Sequence, residues 1–143
     1  MRYRSRHDGM SNSQLLRVGF VGLRDIGGPM AARCIDAGFP VTLWARRAAA
    51  LSRYREGSYR WAESPAGVGR NSDVVAVAVF NEDDAREVVA GEVGIAAGMG
   101  AGGIILVHST VSIGFMEDPA EGVRRTRPHP ARCTSQAASG LEL

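Results

Sequence analysis

The sequence predicts an α/β protein built on a doubly wound parallel sheet. Short, wholly apolar runs, Val74 to Phe80 foremost, alternate with segments of helical composition, as they do where parallel strands are buried on both faces. A cluster of glycines (Gly22, Gly27, Gly28) separates the first apolar run from the first helix-forming segment. The chain has 143 residues, 45% of them hydrophobic and 22% charged, which suits one globular domain rather than a disordered or fibrous chain.

Taken in order, Arg17 to Val21 forms the first strand. The first helix is expected from about Ile26 to Ala37, with Pro29 tolerated in its first turn and Gly38 ending it. Pro40 to Trp44 is the second strand and completes a βαβ unit. Ala48 to Glu56 reads as a helix closed by Gly57, and Tyr59 to Trp61 as a short third strand. Ser64 and Pro65 supply an N-cap and a first-turn proline for a brief helix. After a turn at Asn71-Ser72-Asp73 comes the strand Val74 to Phe80. Asn81-Glu82-Asp83-Asp84 then places carboxylates at a helix start, where the helix dipole favours them. A glycine-rich passage, Gly91 to Gly103, leads into a last buried strand, Ile104 to Val107. Residues 1–16 read as a disordered extension and 114–143 as an unstructured tail rich in Arg, Pro, Ala, Ser and Thr. The folded domain is therefore expected over 17–113.

Strand, glycine turn and helix in that order make a Rossmann-type pyrophosphate site, in which the free amides and dipole of a helix N-terminus face the phosphates. The pattern G-x-G-x-x-G falls on Gly22, Arg24 and Gly27. Its middle position thus carries a long cation, which either lies across the turn and adds charge or obstructs the close approach that a glycine allows. About twenty positions further on, where an acidic residue would accept hydrogen bonds from the 2′-hydroxyl of NAD, stand Arg46 and Arg47. Two guanidiniums suit a 2′-phosphate, so the sequence favours NADP over NAD; the plain alternative is a solvated basic turn.

The other classes are disfavoured. Seventeen basic residues against fifteen acidic ones give a net charge of +2, too mild to indicate nucleic acid. No apolar run approaches the ~20 residues of a membrane helix, and the basic N-terminus lacks a signal peptide's apolar core. Cys34 and Cys133 form no ligand cluster; they read as reduced structural thiols, no metal site is expected, and the cytoplasm is the expected compartment. His108 could be read as a proton carrier, but a lone histidine at a strand end reads as structural. Every basic residue is arginine; there is no lysine.

The run Gly19-Phe20-Val21-Gly22-Leu23 with Gly27-Gly28-Pro29-Met30-Ala31 resembles the cofactor loop of the β-hydroxyacid dehydrogenases, the 3-hydroxyisobutyrate and 6-phosphogluconate dehydrogenase superfamily. Trp44-Ala45-Arg46-Arg47, Ser64-Pro65-Ala66, Asp73-Val74-Val75 through Val89, and Ser109-Thr110-Val111-Ser112 match in order, over roughly 17–113. The resemblance implies that Leu23, Arg24, Asp25 and Ile26 lie against the pyrophosphate, with Gly22 and Gly27 shaping the turn. It places Arg46 at the adenosine ribose or its phosphate, Val79 and Phe80 along the cofactor, Thr110 at the nicotinamide side and Ser109 on the substrate carboxylate. Departures are Arg24 for a glycine, Phe80 for a proline, and Val107-His108 for an Asp-Met pair. The family also implies a second, helical domain whose lysine moves the proton of the substrate hydroxyl, so no catalytic residue is assigned in this chain. The expected function is the NADP-binding part of an oxidoreductase acting on a small β-hydroxy acid, read as a fragment with little activity alone and with a tail suited to out-of-frame translation. The alternatives are a non-catalytic NADPH-binding or sensing module and a remnant whose site Arg24 blocks.

Overall fold

The computed structural model describes residues 15–54 and 56–115, together with the backbone of 132–135. In chain order the elements are β1 (Val18–Val21), α1 (Gly27–Asp36), β2 (Val41–Trp44), a 3-10 segment (Ala48–Arg53), β3 (Arg60–Trp61), α2 (Pro65–Arg70), β4 (Val74–Val77), α3 (Glu82–Ala90), α4 (Ile95–Gly98), β5 (Ile104–Val107) and β6 (Arg132–Ser135). The strands lie in the order β3-β2-β1-β4-β5-β6, and every pairing is parallel. β1 is central: Val18 pairs with both Val41 and Val74, and Val21 with both Trp44 and Val77.

The chain builds outward from β1 to β2 and β3, then crosses back to place β4 on the other side of β1. That reversal opens a crevice at the carboxyl ends of β1 and β4, the usual ligand position in an open α/β sheet. Alternation along β1 sends Phe20 and Val21 to opposite faces, and both are buried. Phe20 joins Leu43, Ala76 and Ala31 of α1 on one side. Val21 joins Val75, Val77, Val68 of α2 and Val88 of α3 on the other. The strands therefore read as continuous apolar runs because helices cover both faces.

Several local expectations are met. Ser64 caps α2 by accepting a hydrogen bond from the Gly67 amide at 3.2 Å. Glu82, Asp83 and Asp84 lie in the first turn of α3 as expected, and Asn81, not singled out in the sequence, caps that helix by accepting from the Asp84 amide at 2.7 Å. Partial burial pushes the Cys34 thiol up, which disfavours its thiolate.

Other expectations are corrected. The helix read over Ala48 to Glu56 is a 3-10 segment ending at Arg53. Its chain closes with three-residue bonds, Tyr54 N–H to Leu51 C=O at 2.9 Å and the Ser52 hydroxyl to Ala49 C=O at 2.9 Å. The Tyr54 hydroxyl donates to the Gly28 carbonyl at 3.1 Å, pinning the segment to the start of α1. The strand read as Val74 to Phe80 ends at Val77, and the glycine-rich passage contains α4, anchored by the buried Ile95. The tail read as unstructured from 114 holds Phe115, which is fully buried; Ser112 turns the chain back, its carbonyl accepting the Phe115 amide at 3.1 Å. β6 also falls within that tail, because the outer edge of β5 offers an unpaired ladder that templates a further strand. The extension expected over 1–16 lies outside the described residues up to 14, as does the tail over 116–131 and 136–143.

Arg17 ties the start of β1 to that of β4. Its backbone amide donates to Asp73 Oδ2 at 2.9 Å and its guanidinium Nη2 to Oδ1 at 2.6 Å. The guanidinium's hydrogen bonds hold the Asp73 carboxyl below its ordinary range. A depressed folded-state pKa adds stability above the ordinary carboxylate pKa, and that stability is lost as pH falls through the folded value. The pair is half exposed, so Asp73→Asn is expected to lower unfolding free energy at pH 7 by only about 1 kcal/mol. The gap between variant and wild type should close once the pH lies below the depressed range of the folded Asp73 carboxyl, as read by urea unfolding across pH. A gap that persists undiminished at that pH would show that the ion pair is not its source.

Candidate functional site

The crevice at the reversal point, of about 410 Å3, is lined by Gly22 to Arg24 after β1, Trp44 to Arg47 at the end of β2 and beyond it, Ala78 to Phe80 after β4, and Ala50, Asp84 and Val88. Three strand ends thus converge where the sequence placed a dinucleotide. A smaller crevice of about 220 Å3 adjoins it, lined by Arg24, Asp25, Ile26, Ala78 to Phe80 and His108. Arg24, Val79 and Phe80 border both. The two form one trough running from the end of β2, past β1, to the end of β5.

The floor of the trough is set by glycine. Gly22 has φ +91, and a Cβ there would overlap the carbonyl oxygen of Ala78. A Cβ on Gly27 would in turn overlap the carbonyl oxygen of Gly22, so α1 begins directly against the turn. The N-cap of α1 is Ile26, with no side-chain cap and no acidic residue in the first turn. Among the described residues none accepts a hydrogen bond from the amides of Asp25, Ile26 or Gly27. Those donors face the end of a ten-residue helix and suit an anion.

The sequence-predicted residues separate into groups. Gly22, Leu23, Arg24, Arg46, Arg47, Val79 and Phe80 line the larger crevice, and Asp25 and Ile26 the smaller. Leu23 is 2% exposed and its side chain sits in the core, so its contribution to the trough is backbone. Gly27 is buried beneath the turn. Ser109 and Thr110 line neither crevice. The Ser109 hydroxyl donates to the Val79 carbonyl at 2.7 Å and accepts from the Val79 amide at 3.1 Å. It takes up both backbone groups that would otherwise continue the β4 ladder, which is why that strand stops at Val77. Thr110 is exposed.

The segment after Ser109 is fixed to α3. Glu82 accepts from the Ser112 amide at 2.8 Å and the Ser112 hydroxyl at 3.0 Å. These bonds to Ser112, with the Arg86 guanidinium, hold the Glu82 carboxyl below its usual range. The wall carrying Val79 and Phe80 is thereby held from both sides. His108 Nε2 is buried without a partner among the described residues, and no group of acidic, Cys and His side chains among them could hold a metal ion.

Sequence reasoning missed the acid at the ribose corner. Arg46 Nη2 lies 2.9 Å from Asp84 Oδ1 and 2.7 Å from Glu87 Oε2, while Arg47 has no ion pair among the described residues. A signal was present: Asp84 and Glu87 are three apart on α3 and share a face. What could not be read locally was that this face lies across the crevice from the end of β2.

Such a trough, with a glycine turn, a free helix N-terminus and cations beyond the second strand, defines a nicotinamide-dinucleotide-binding domain. The family model for the NAD binding domain of 6-phosphogluconate dehydrogenase matches residues 17–128, and the chain belongs to that family. An uncharacterized oxidoreductase of Shewanella frigidimarina is 38% identical over 100 residues, covering 68% of this chain and 34% of that protein. A probable mitochondrial 3-hydroxyisobutyrate dehydrogenase-like protein of Arabidopsis thaliana is 29% identical over 109 residues, covering 76% of this chain and 36% of that one. The crystal structure of a putative oxidoreductase from Mycobacterium avium superposes with a TM-score of 0.73 at 27% identity, over 88% of this chain and 43% of that one. The chain spans about a third of the length of the curated relatives it matches. Among the described residues no helix is long and apolar enough to cross a membrane.

Proposed function

We propose that the trough holds NADP(H), with the adenosine 2′-phosphate at Arg46 and Arg47, the pyrophosphate on the amides of Asp25 to Gly27, and the nicotinamide toward His108 and Thr110. The observation that carries this reading is the pair of guanidiniums at the mouth of β2, on the same crevice as the Gly22 turn. Arg24, exposed where the two crevices meet, adds charge beside the pyrophosphate and leaves the turn open. Trp44, Ala50 and Val88 give the adenine an apolar wall. The residues fit the cofactor: Gly22 admits the close approach that a side chain would block, and the first-turn donors of α1 are unspent.

When bound, the cofactor supplies a hydride-accepting or hydride-donating carbon, C4 of its nicotinamide. The chain's own residues bind and orient. Ser109 and Ser112 fix the wall against which the nicotinamide end rests, and Ser109 acts on the substrate side through Val79 in this arrangement. The whole protein is read as an oxidoreductase of small β-hydroxy acids, the substrate class named for the Arabidopsis relative. No residue of this chain is assigned to proton transfer.

The test is a fluorescence titration of the protein with NADPH and, in parallel, NADH. Saturable binding of NADPH at micromolar concentration, at least about tenfold tighter than NADH, is the expected result. Binding of neither cofactor would remove the proposal.

A further inference from the structure

The ribose corner carries as much negative charge as positive: two guanidiniums, Arg46 and Arg47, stand against two carboxylates, Asp84 and Glu87. Both carboxylates meet the same nitrogen, Arg46 Nη2. Asp84 is the more enclosed, with a side chain 25% exposed against 70% for Glu87, and it lines the crevice itself. A 2′-phosphate brought to Arg46 would stand within a few ångströms of two like charges and would compete with them for the guanidinium. A ribose 2′-hydroxyl meets the opposite situation, since it can donate to the Asp84 carboxylate. The acid that the sequence lacks after β2 is thus delivered in space from α3.

We propose that Asp84 and Glu87 are specificity-determining residues of this site, competing with a 2′-phosphate for Arg46 and so limiting the preference for NADPH over NADH. The inference rests on the cofactor reading above and deepens it. An exposed ion pair is weak, so the carboxylates temper phosphate binding without abolishing it. Neutralising them leaves Arg46 in place and its donors uncommitted.

The experiment is the same paired titration on wild type, Glu87→Gln, and the Asp84→Asn/Glu87→Gln double variant. The double variant is expected to bind NADPH about fivefold to tenfold tighter than wild type. Its NADH affinity should stay within about threefold or weaken, as loss of one hydroxyl–carboxylate hydrogen bond allows. Glu87→Gln should show part of the NADPH gain, and it decides the matter alone if the double variant does not fold. Raising salt should shrink the difference between variant and wild type, because the repulsion removed is between solvent-accessible charges. An unchanged or reduced NADPH to NADH ratio, in a wild type that binds NADPH, overturns this proposal and leaves the cofactor reading standing. Failure of either cofactor to saturate any of the three proteins overturns both.

Discussion

Replacing Arg46 and Arg47 together by alanine is expected to weaken NADPH binding on the order of a hundredfold, while NADH affinity moves by less than about threefold. Each guanidinium offers charge-assisted hydrogen bonds that a neutral ribose cannot use fully. The substitution also leaves Asp84 and Glu87 unpaired at the same corner, so a phosphate would meet two carboxylates with no cation between. Folding should be little affected. Both arginines are exposed, and exposed ion pairs contribute little to stability; a thermal midpoint within a few degrees of wild type is the control. The informative measurement is the ratio of the two dissociation constants. An equal loss for both cofactors would place the arginines on the pyrophosphate or the adenine, which all nicotinamide dinucleotides share, and would end the 2′-phosphate assignment.

The glycine turn and the elements beside it were legible because they are written locally. β1 and the start of α1 follow from Val18 to Val21 and the glycines after them: an apolar run buried on two faces, a turn that no side chain fits, and a helix whose first amides have no intrahelical partner. Serine before proline at 64 and 65 capped α2 as expected. The places where local reading failed are places where tertiary contacts override propensity. Ala48 to Arg53 has helix-forming alanines, yet the bond from Tyr54 to Gly28 draws its chain tight against α1. The apolar Ala78, Val79 and Phe80 suggested that β4 continues, but the Ser109 hydroxyl, thirty residues beyond Val79, takes the bonds that would have extended it. Phe115 lies in a stretch without period, and its burial depends on the turn that Ser112 makes against Glu82.

The Asp84–Arg46 contact is the clearest case of information held in topology. The sequence shows a basic dipeptide after β2 and an acidic run opening α3, each with an adequate local explanation. Only the strand order, with β4 returning beside β1, brings the first turns of α3 over the end of β2. Phe80 is similar in kind. Its position in a strand-like run suggested burial, whereas the early end of β4 leaves it 84% exposed on the rim of the trough.

Replacing Gly22 by valine is expected to destabilise the fold by at least about 3 kcal/mol and to abolish cofactor binding in whatever fraction still folds. Two causes act together. At φ +91 an L side chain is strained, and a Cβ would overlap the Ala78 carbonyl, which belongs to the chain leaving β4. Because Ala78 donates its own amide to the Val21 carbonyl at 2.9 Å, relief of the overlap must part β1 from β4 at the very point where the trough begins. The two causes can be separated with Gly38, which also has positive φ, +83, but has nothing within 4 Å of the place a Cβ would occupy. Gly38→Ala should therefore cost only the conformational part, about 1 kcal/mol, and leave NADPH titration unchanged. Gly22→Ala should cost more than that and weaken binding as well, because it meets the carbonyl in addition. Equal destabilisation by the two alanine substitutions in urea unfolding, with binding intact in both, would mean that the close approach of β1 and β4 does not shape the site.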